Sequence, residues 1–232
     1  MRTAYTVFRN LYNVRKMTMK LVLASGSQRR RELLTMCGYD YEIIVSNADE
    51  TIDENDPESF VRALSFRKAK EVFDRLFEAV IGSDTVVAFQ KEGETKPVII
   101  GKPKDAEDAV CILSMLSGKT HRVFTGVSVI ADIPDENAAA QCSIREKAEI
   151  QTECSITEVT FETLSPDEIT DYVNSGDPLD KAGSYGIQGP FGMFVREIRG
   201  NYFTVIGMPI PVLYKMLKKI GILPHGFYER IE

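Results

Sequence analysis

Tryptophan is absent from these 232 residues, histidine occurs twice and cysteine four times, and each shortage removes a class of chemistry. Two histidines, His121 and His225, cannot build a multi-histidine metal site. The cysteines, Cys37, Cys111, Cys142 and Cys154, form no CxxC pair and keep no regular spacing. Reduced cytosolic thiols fit that pattern better than disulfides or zinc. No GxSxG elbow is present, and no cysteine lies next to a histidine. Neither GxxxxGK[ST] nor GxGxxG occurs. No apolar run is long enough to cross a bilayer, so a membrane partner is not expected. An excess of positive charge is also missing. With a net charge of −6, the chain is not expected to hold a nucleic-acid polymer through its backbone. What remains is chemistry run on carboxylates, lysines, arginines and a hard metal ion.

The composition is that of a globular protein, 44% hydrophobic and 27% charged, and the length suits one large domain or one domain in two lobes. The organising stretch is LVLASGSQRRRELL, Leu21 to Leu34. It reads as a buried strand, a small-residue turn at Ser25-Gly26-Ser27, and a helix opening on Gln28-Arg29-Arg30-Arg31. A turn feeding a helix start leaves backbone N–H groups pointing outward, and Ser25 and Ser27 add hydroxyl donors. Three arginines in a first helical turn oppose the helix dipole. Either a polyphosphate offsets them or they form a solvated basic surface paired with nearby acids. Residues 1–20 hold five basic residues and no acid, as transit peptides do, but a short extension or a start at Met17 or Met19 is the preferred interpretation.

Farther along, Tyr39 to Val45 reads as a second strand, followed by a carboxylate-rich loop from Ser46 to Asp56 that contains Glu50. Asp56-Pro57-Glu58 starts a helix running to about Ala79. Its stripe Val61, Leu64, Lys68, Val72, Leu76 puts a lysine in an apolar row. Lys68 either snorkels to the edge or reaches an anion. Val80 to Phe89 reads as a central strand apolar on both faces. Asp84, inside it, needs a cation or donors, and a metal ligand or general base is favoured over a structural ion pair. A hairpin returns through Pro97–Ile100 to Gly101-Lys102-Pro103, Asp105 caps a helix to Leu116, and Thr120–Ile133 is a long strand. Pro134 to Glu146 reads as a polar hairpin tip, and Ile150–Glu162 as a strand. Ser165-Pro166-Asp167-Glu168 opens a helix. The loop Asp177 to Gly189 is glycine-rich yet too apolar for disorder, and the amide of Gln188 could read a base edge. Strands are expected at Met193–Ile198 and Tyr202–Val205, then a helix from Pro209 to Ile220. Crossover-linked and hairpin-linked strands together give an α/β class with a mixed sheet.

Together the stretches LASGSQRRRELL, Asp49-Glu50, Lys68-Ala69, GSDTVV, GKP, SGKTHRVFTGV, DKAGSYGIQG and Gly200 to Pro209 resemble the Maf family of nucleotide pyrophosphatases, in the family's order. The resemblance implies an elongated mixed β-sheet in two lobes with flanking helices and a central cleft, as in inosine-triphosphate pyrophosphatases. It implies one catalytic domain over 21–222, between an N-terminal extension (1–20) and a tail (223–232). It also implies a cytoplasmic, homodimeric enzyme that hydrolyses a nucleoside triphosphate to the monophosphate and pyrophosphate with Mg²⁺, or Mn²⁺. DKAGSYGIQG resembles the branch acting on dTTP and UTP. By position, Asp84 would be the catalytic base, Lys68 and Lys102 would bind phosphates, and Glu50 with Asp84 would hold the metal. Arg29, Thr85 and Gln188 would set substrate choice, and Arg30, Ser25 and Ser27 would complete the substrate contacts. Two alternatives stand beside this: a 7-methyl-GTP pyrophosphatase, and a nucleotide-binding regulator of cell division without turnover.

Overall fold

The computed structural model describes residues 19–76, 78–132 and 148–225. The expected tip at 134–146 lies outside them, as does nearly all of the extension at 1–20. The elements in order are β1 (Leu21–Leu23), α1 (Gln28–Met36), β2 (Glu42–Ile43), α2 (Pro57–Leu76), β3 (Ala79–Phe89), β4 (Val98–Ile100) and α3 (Ala106–Leu116). They continue with β5 (Thr120–Asp132), β6 (Ala148–Phe161), α4 (Pro166–Asn174), β7 (Val195–Arg199), α5 (Tyr202–Ile206) and α6 (Ile210–Lys219). Short 3₁₀ turns fill Asp177–Asp180, Ala182–Ser184 and Pro190–Phe194. The class is mixed α/β.

One sheet runs β2-β1-β3-β5-β6-β7, with β4 paired to β3. β1 lies parallel to β2 and β3, and the long strands β3, β5 and β6 are antiparallel. Alternation along β3 divides its side chains. Val80, Gly82, Asp84, Val86 and Ala88 face α2; Ala79, Ile81, Ser83, Thr85 and Val87 face the other side. On that other side two apolar cores form at opposite ends of the strands. One gathers Leu21, Leu33, Ile81, Val129 and Leu213; the other gathers Val87, Leu113, Val123, Phe161 and Phe191. Between them β3 and β5 carry the buried hydroxyls of Ser83 and Thr125, while Asp84 and the buried Ser128, 3.0 Å from Ser65 Oγ, lie on the α2 face.

On the opposite face α2 lies very close to the sheet. A Cβ on Gly126 would stand 2.1 Å from the Val61 carbonyl oxygen, and one on Gly82 2.2 Å from that of Ser65. Only glycine at both points lets the helix approach, and this approach puts Lys68 within reach of β3.

Several expectations change, among them the strand expected over Met193–Ile198, which runs Val195–Arg199 because Met193 and Phe194 belong to a 3₁₀ turn. The strand expected over Tyr39–Val45 contracts to Glu42–Ile43 at the sheet's edge, and α2 ends at Leu76 rather than near Ala79. The helix expected from Pro209 to Ile220 is shorter by one residue at each end. Tyr202–Val205 is helix rather than strand. The Asn201 side chain accepts a hydrogen bond from the Phe203 N–H, and Gly207 closes the turn at φ 107°. That cap and stop outweigh the strand preference of Tyr-Phe-Thr-Val. The other helices and the hairpin stand as expected, with Asp105 capping α3 and a complete capping box on Ser165 and Glu168 at α4.

Candidate active site

The sheet has a gap, and the candidate residues collect around it. On the edge of β3 away from β5, β1 pairs only through Ile81 and β4 only from Val87. Residues 82–86 therefore have a strand neighbour on one side alone among the described residues, with Asp84 at the middle. One lip of the gap is where β1 turns through Ser25–Ser27 into α1; the other is where β4 runs into Gly101-Lys102-Pro103. Because the edge is open, side chains from both faces of β3 can reach whatever lies in it.

From the α2 face comes an acid–lysine–acid chain. Lys68 Nζ lies 2.8 Å from Asp84 Oδ1 and 2.9 Å from Glu50 Oε1. Asp84 and Lys68 each keep 12% of their side-chain surface exposed, whereas Glu50 keeps 65%. The lysine in the apolar stripe thus reaches inward between two carboxylates. A buried lysine so placed is held by its partners, and removing one of them leaves a charge in a poorly solvated place. Glu50 owes its position to a residue that sequence inspection missed: Arg67, next to Lys68, donates to the carbonyls of Asp49 and Thr51, both at 2.8 Å.

From the opposite face comes Arg30. Its Nε donates to the Gly207 carbonyl at 2.9 Å, its NH1 to Ser25 Oγ at 3.1 Å and its NH2 to Thr85 Oγ1 at 3.3 Å. Burial lowers the pKa of this guanidinium, the fields of Asp84 and Glu50 oppose that shift, and Arg29 adds to it. Arg30 thus shares one electrostatic neighbourhood with both acids, and as an arginine it stays protonated. Ser25 Oγ also accepts the Ser27 N–H at 3.2 Å, which shapes the turn, and the start of α1 carries neither a side-chain cap nor an acid in its first turn. Behind Arg30, Ser83 Oγ donates to the Gly207 carbonyl at 3.0 Å, and Thr125 Oγ1 sits 3.0 Å from Thr85 Oγ1 and donates to the Thr204 carbonyl at 2.7 Å. Ser83, Thr125 and the Gly207 carbonyl are supporting groups that the sequence did not reveal, because they are brought together by α5.

The loop from Asp177 to Phe194 closes the same region. Gly183 N–H donates to the Gly101 carbonyl at 2.9 Å, so this loop and the lip carrying Lys102 are joined. Its aromatic residues explain its apolar composition. Tyr185 and Phe191 are buried against Phe161, with ring centroids 4.8 Å apart in both pairs, and His121 Nε2 lies 2.9 Å from Tyr185 Oη. Burial pushes His121 down to about 3, so it is neutral under working conditions and serves as packing. Arg29 NH1 lies 3.5 Å from Asp180 Oδ2 on this loop. Lys102 and Gln188 are exposed. The structure therefore brings Ser25, Ser27, Arg29, Arg30, Glu50, Lys68, Asp84 and Thr85 together, and leaves Lys102 and Gln188 on segments that border them.

No group of three or more His, Cys, Asp or Glu side chains able to hold a metal ion occurs among the described residues. Glu50 and Asp84 form a two-carboxylate set around Lys68, which suits a hard ion that keeps waters and takes its other ligands from a phosphate chain. A hollow of about 620 Å³ lies at the far end of β3, lined by Phe89, Lys91, Met115 and Lys119 among others, and contains none of the candidate residues. No helix among the described residues is long and apolar enough to cross a membrane.

Residues 20–220 match the family described as Maf-like protein. A dTTP/UTP pyrophosphatase of Clostridium perfringens is 45% identical over 208 residues, which cover 88% of this chain and 98% of that one. Another from Lachnoclostridium phytofermentans is 41% identical over 206 residues, or 88% of this chain and 96% of that one. Among solved structures, the Staphylococcus aureus Ham1 protein overlaps 86% of this chain and 98% of its own at 16% identity and a TM-score of 0.45, an overlap too loose to carry weight.

Proposed function

The chain belongs to the Maf-like family, and on that footing we propose that it hydrolyses nucleoside triphosphates, dTTP and UTP foremost, to the monophosphate and pyrophosphate. The observation that carries this is the convergence of Arg30, Lys68, Asp84 and Glu50 on the open edge of β3. Cations from both faces of a sheet, meeting beside two acids, suit a chain of phosphates.

Breaking the bond at the α-phosphorus requires water in line with the leaving pyrophosphate and neutralised charge on the phosphate oxygens. Asp84, in the middle of β3, would orient that water and accept its proton. Lys68 holds Asp84 in place and offers its ammonium to the phosphates. Arg30 offers its guanidinium from the other face, with Ser25 and the Ser27 turn supplying further donors and Lys102 approaching from the opposite lip. Glu50 and Asp84 are the residues that would hold Mg²⁺, or Mn²⁺. When bound, such an ion supplies charge neutralisation and lowers the pKa of water. Arg29, Thr85 and the Gln188 amide would read the base, which for a pyrimidine requires few groups. We further propose a single catalytic domain over 21–222, acting in the cytoplasm as a homodimer.

The test is a panel of nucleoside triphosphates, including dTTP, UTP, GTP and 7-methyl-GTP, assayed with Mg²⁺ for pyrophosphate and monophosphate. Pyrophosphate from dTTP and UTP above the purines is the expected result. Orthophosphate as the first product, or tight nucleotide binding with no monophosphate formed, would overturn the proposal.

A further inference from the structure

Lys181 is the most deeply placed charge in the loop that flanks the site, and the phosphate chemistry above gives it no task. Its side chain is 11% exposed, and its Nζ donates to the Asp177 carbonyl at 2.5 Å, to Asp177 Oδ1 at 3.0 Å and to Asp180 Oδ1 at 2.7 Å. All three of its N–H bonds are thereby used. The ammonium cannot be a free phosphate ligand.

What it holds is more informative. The lysine stem passes directly beneath Gly186, where a Cβ would stand 2.6 Å from Lys181 Cε and 2.9 Å from Cδ. The Gly186 N–H donates to Tyr172 Oη at 3.1 Å, and Tyr172 Oη donates in turn to Asp177 Oδ2 at 2.5 Å. The acid that binds Lys181 through one oxygen thus anchors Gly186 through the other. Gly186 then opens the next turn, its carbonyl accepting the Gly189 N–H at 3.2 Å, with Ile187 and Gln188 as the two central residues. On the other side, Lys181 occupies Asp180 Oδ1 and leaves Asp180 Oδ2 to Arg29 at 3.5 Å. One buried ammonium supports both Gln188 and Arg29, which lie on segments far apart in sequence.

We propose that Lys181 is a positioning residue for base recognition: with Asp177 and Asp180 it fixes the Gln188 turn and the Arg29 guanidinium as one unit. This rests on the hydrolase activity proposed above. Lys181 acts through its neighbours and takes no part at the phosphorus, so its loss should weaken choice of base more than it slows chemistry.

The experiment measures kcat and KM for dTTP and GTP in the full chain and in Lys181→Met, Asp180→Asn and Arg29→Ala, with Asp180→Asn also made in the Arg29→Ala background. Thermal melts establish that each variant is folded. Asp180 is well exposed, so Asp180→Asn should raise KM for dTTP by no more than about fivefold, with kcat nearly unchanged. Lys181→Met disorders both supports and should raise it at least about tenfold, narrowing the preference for dTTP over GTP by a similar factor. If Asp180 acts through Arg29, Asp180→Asn has no further effect once Arg29 is alanine. Equal losses for dTTP and GTP, a fall in kcat at constant KM, additive effects of Asp180→Asn and Arg29→Ala, or a folded Lys181→Met variant with unchanged kinetics would each overturn the proposal. Should Lys181→Met fail to fold, the Asp180 and Arg29 cycle decides. A wild-type chain that hydrolyses none of the panel refutes the activity itself, a result distinct from any of these.

Discussion

The two ends of the site are built by different means. Where the phosphates would lie, the functional groups stand on regular elements: Asp84 on β3, Lys68 on the twenty-residue α2 and Arg30 in the first turn of α1. Where the base would lie, Gln188 and Asp180 stand on short 3₁₀ turns and loops, held by Lys181, by Tyr172 and by buried aromatic rings. Regular elements fix a side chain through many backbone bonds, and a loop must be fixed through a few side chains. Changes at the phosphate end should therefore reduce turnover, and changes at the base end should shift preference.

The sharpest way to break this contrast is at Asp84. Asp84→Asn keeps the shape but loses the proposed proton acceptor, and pyrophosphate release should fall about 10³-fold, within the range for a general base. Lys68→Met removes the cation paired with Asp84 and proposed to meet the phosphates, and a loss of about 10²-fold in kcat/KM for dTTP is expected. GTP should lose as much, because the phosphates are common to both. An effect confined to one nucleotide would show that Lys68 belongs to the base end.

Backbone approach at the phosphate end can be tested separately. Gly126→Ala would drive a methyl group into the Val61 carbonyl of α2, and a stability loss of about 3 kcal/mol is expected in urea unfolding. Activity should fall with it as α2 carries Lys68 away from Asp84. At the base end the corresponding support is His121, whose folded pKa is depressed by burial to about 3. The unfolded chain binds a proton there near pH 6.5 and the folded chain does not, so stability is highest above pH 6.5 and declines as the pH falls toward 3. The slope from this one group should reach about 1.4 kcal/mol per pH unit. His121→Leu should remove that component, as urea midpoints between pH 6.5 and 5 would show. A slope unchanged in the variant would assign the acid sensitivity elsewhere.

The phosphate end was legible in the sequence and the base end only in part, for the same reason. Lys68 announced itself as a charge in an apolar helical row and Asp84 as a charge in a buried strand, because regular periods make an exception visible. Arg30 was visible as one of three arginines at a helix start, but its place among Ser25, Thr85 and the Gly207 carbonyl depends on α5. The Tyr-Phe-Thr-Val of that helix has the aromatic and β-branched make-up of a strand. The Asn201 cap and the Gly207 stop were in the sequence to be noticed. Lys181 gave no such signal. In a loop without a period, a lysine just after two aspartates looks like solvated surface, and only the path of its stem under Gly186 shows otherwise. Arg67 was hidden because its partners are carbonyls, which have no signature in residue type.

The central claim is that cations from opposite faces of one sheet serve a single triphosphate through the gap in β3. Calorimetric affinity for a non-hydrolysable dTTP analogue, with Mg²⁺, in wild type, Arg30→Met, Lys68→Met and the double variant tests it most directly. Each single change should weaken binding by about tenfold or more, and the double variant should depart from the sum of the two, as groups sharing one ligand do. Binding lost with one variant and untouched by the other would contradict the claim.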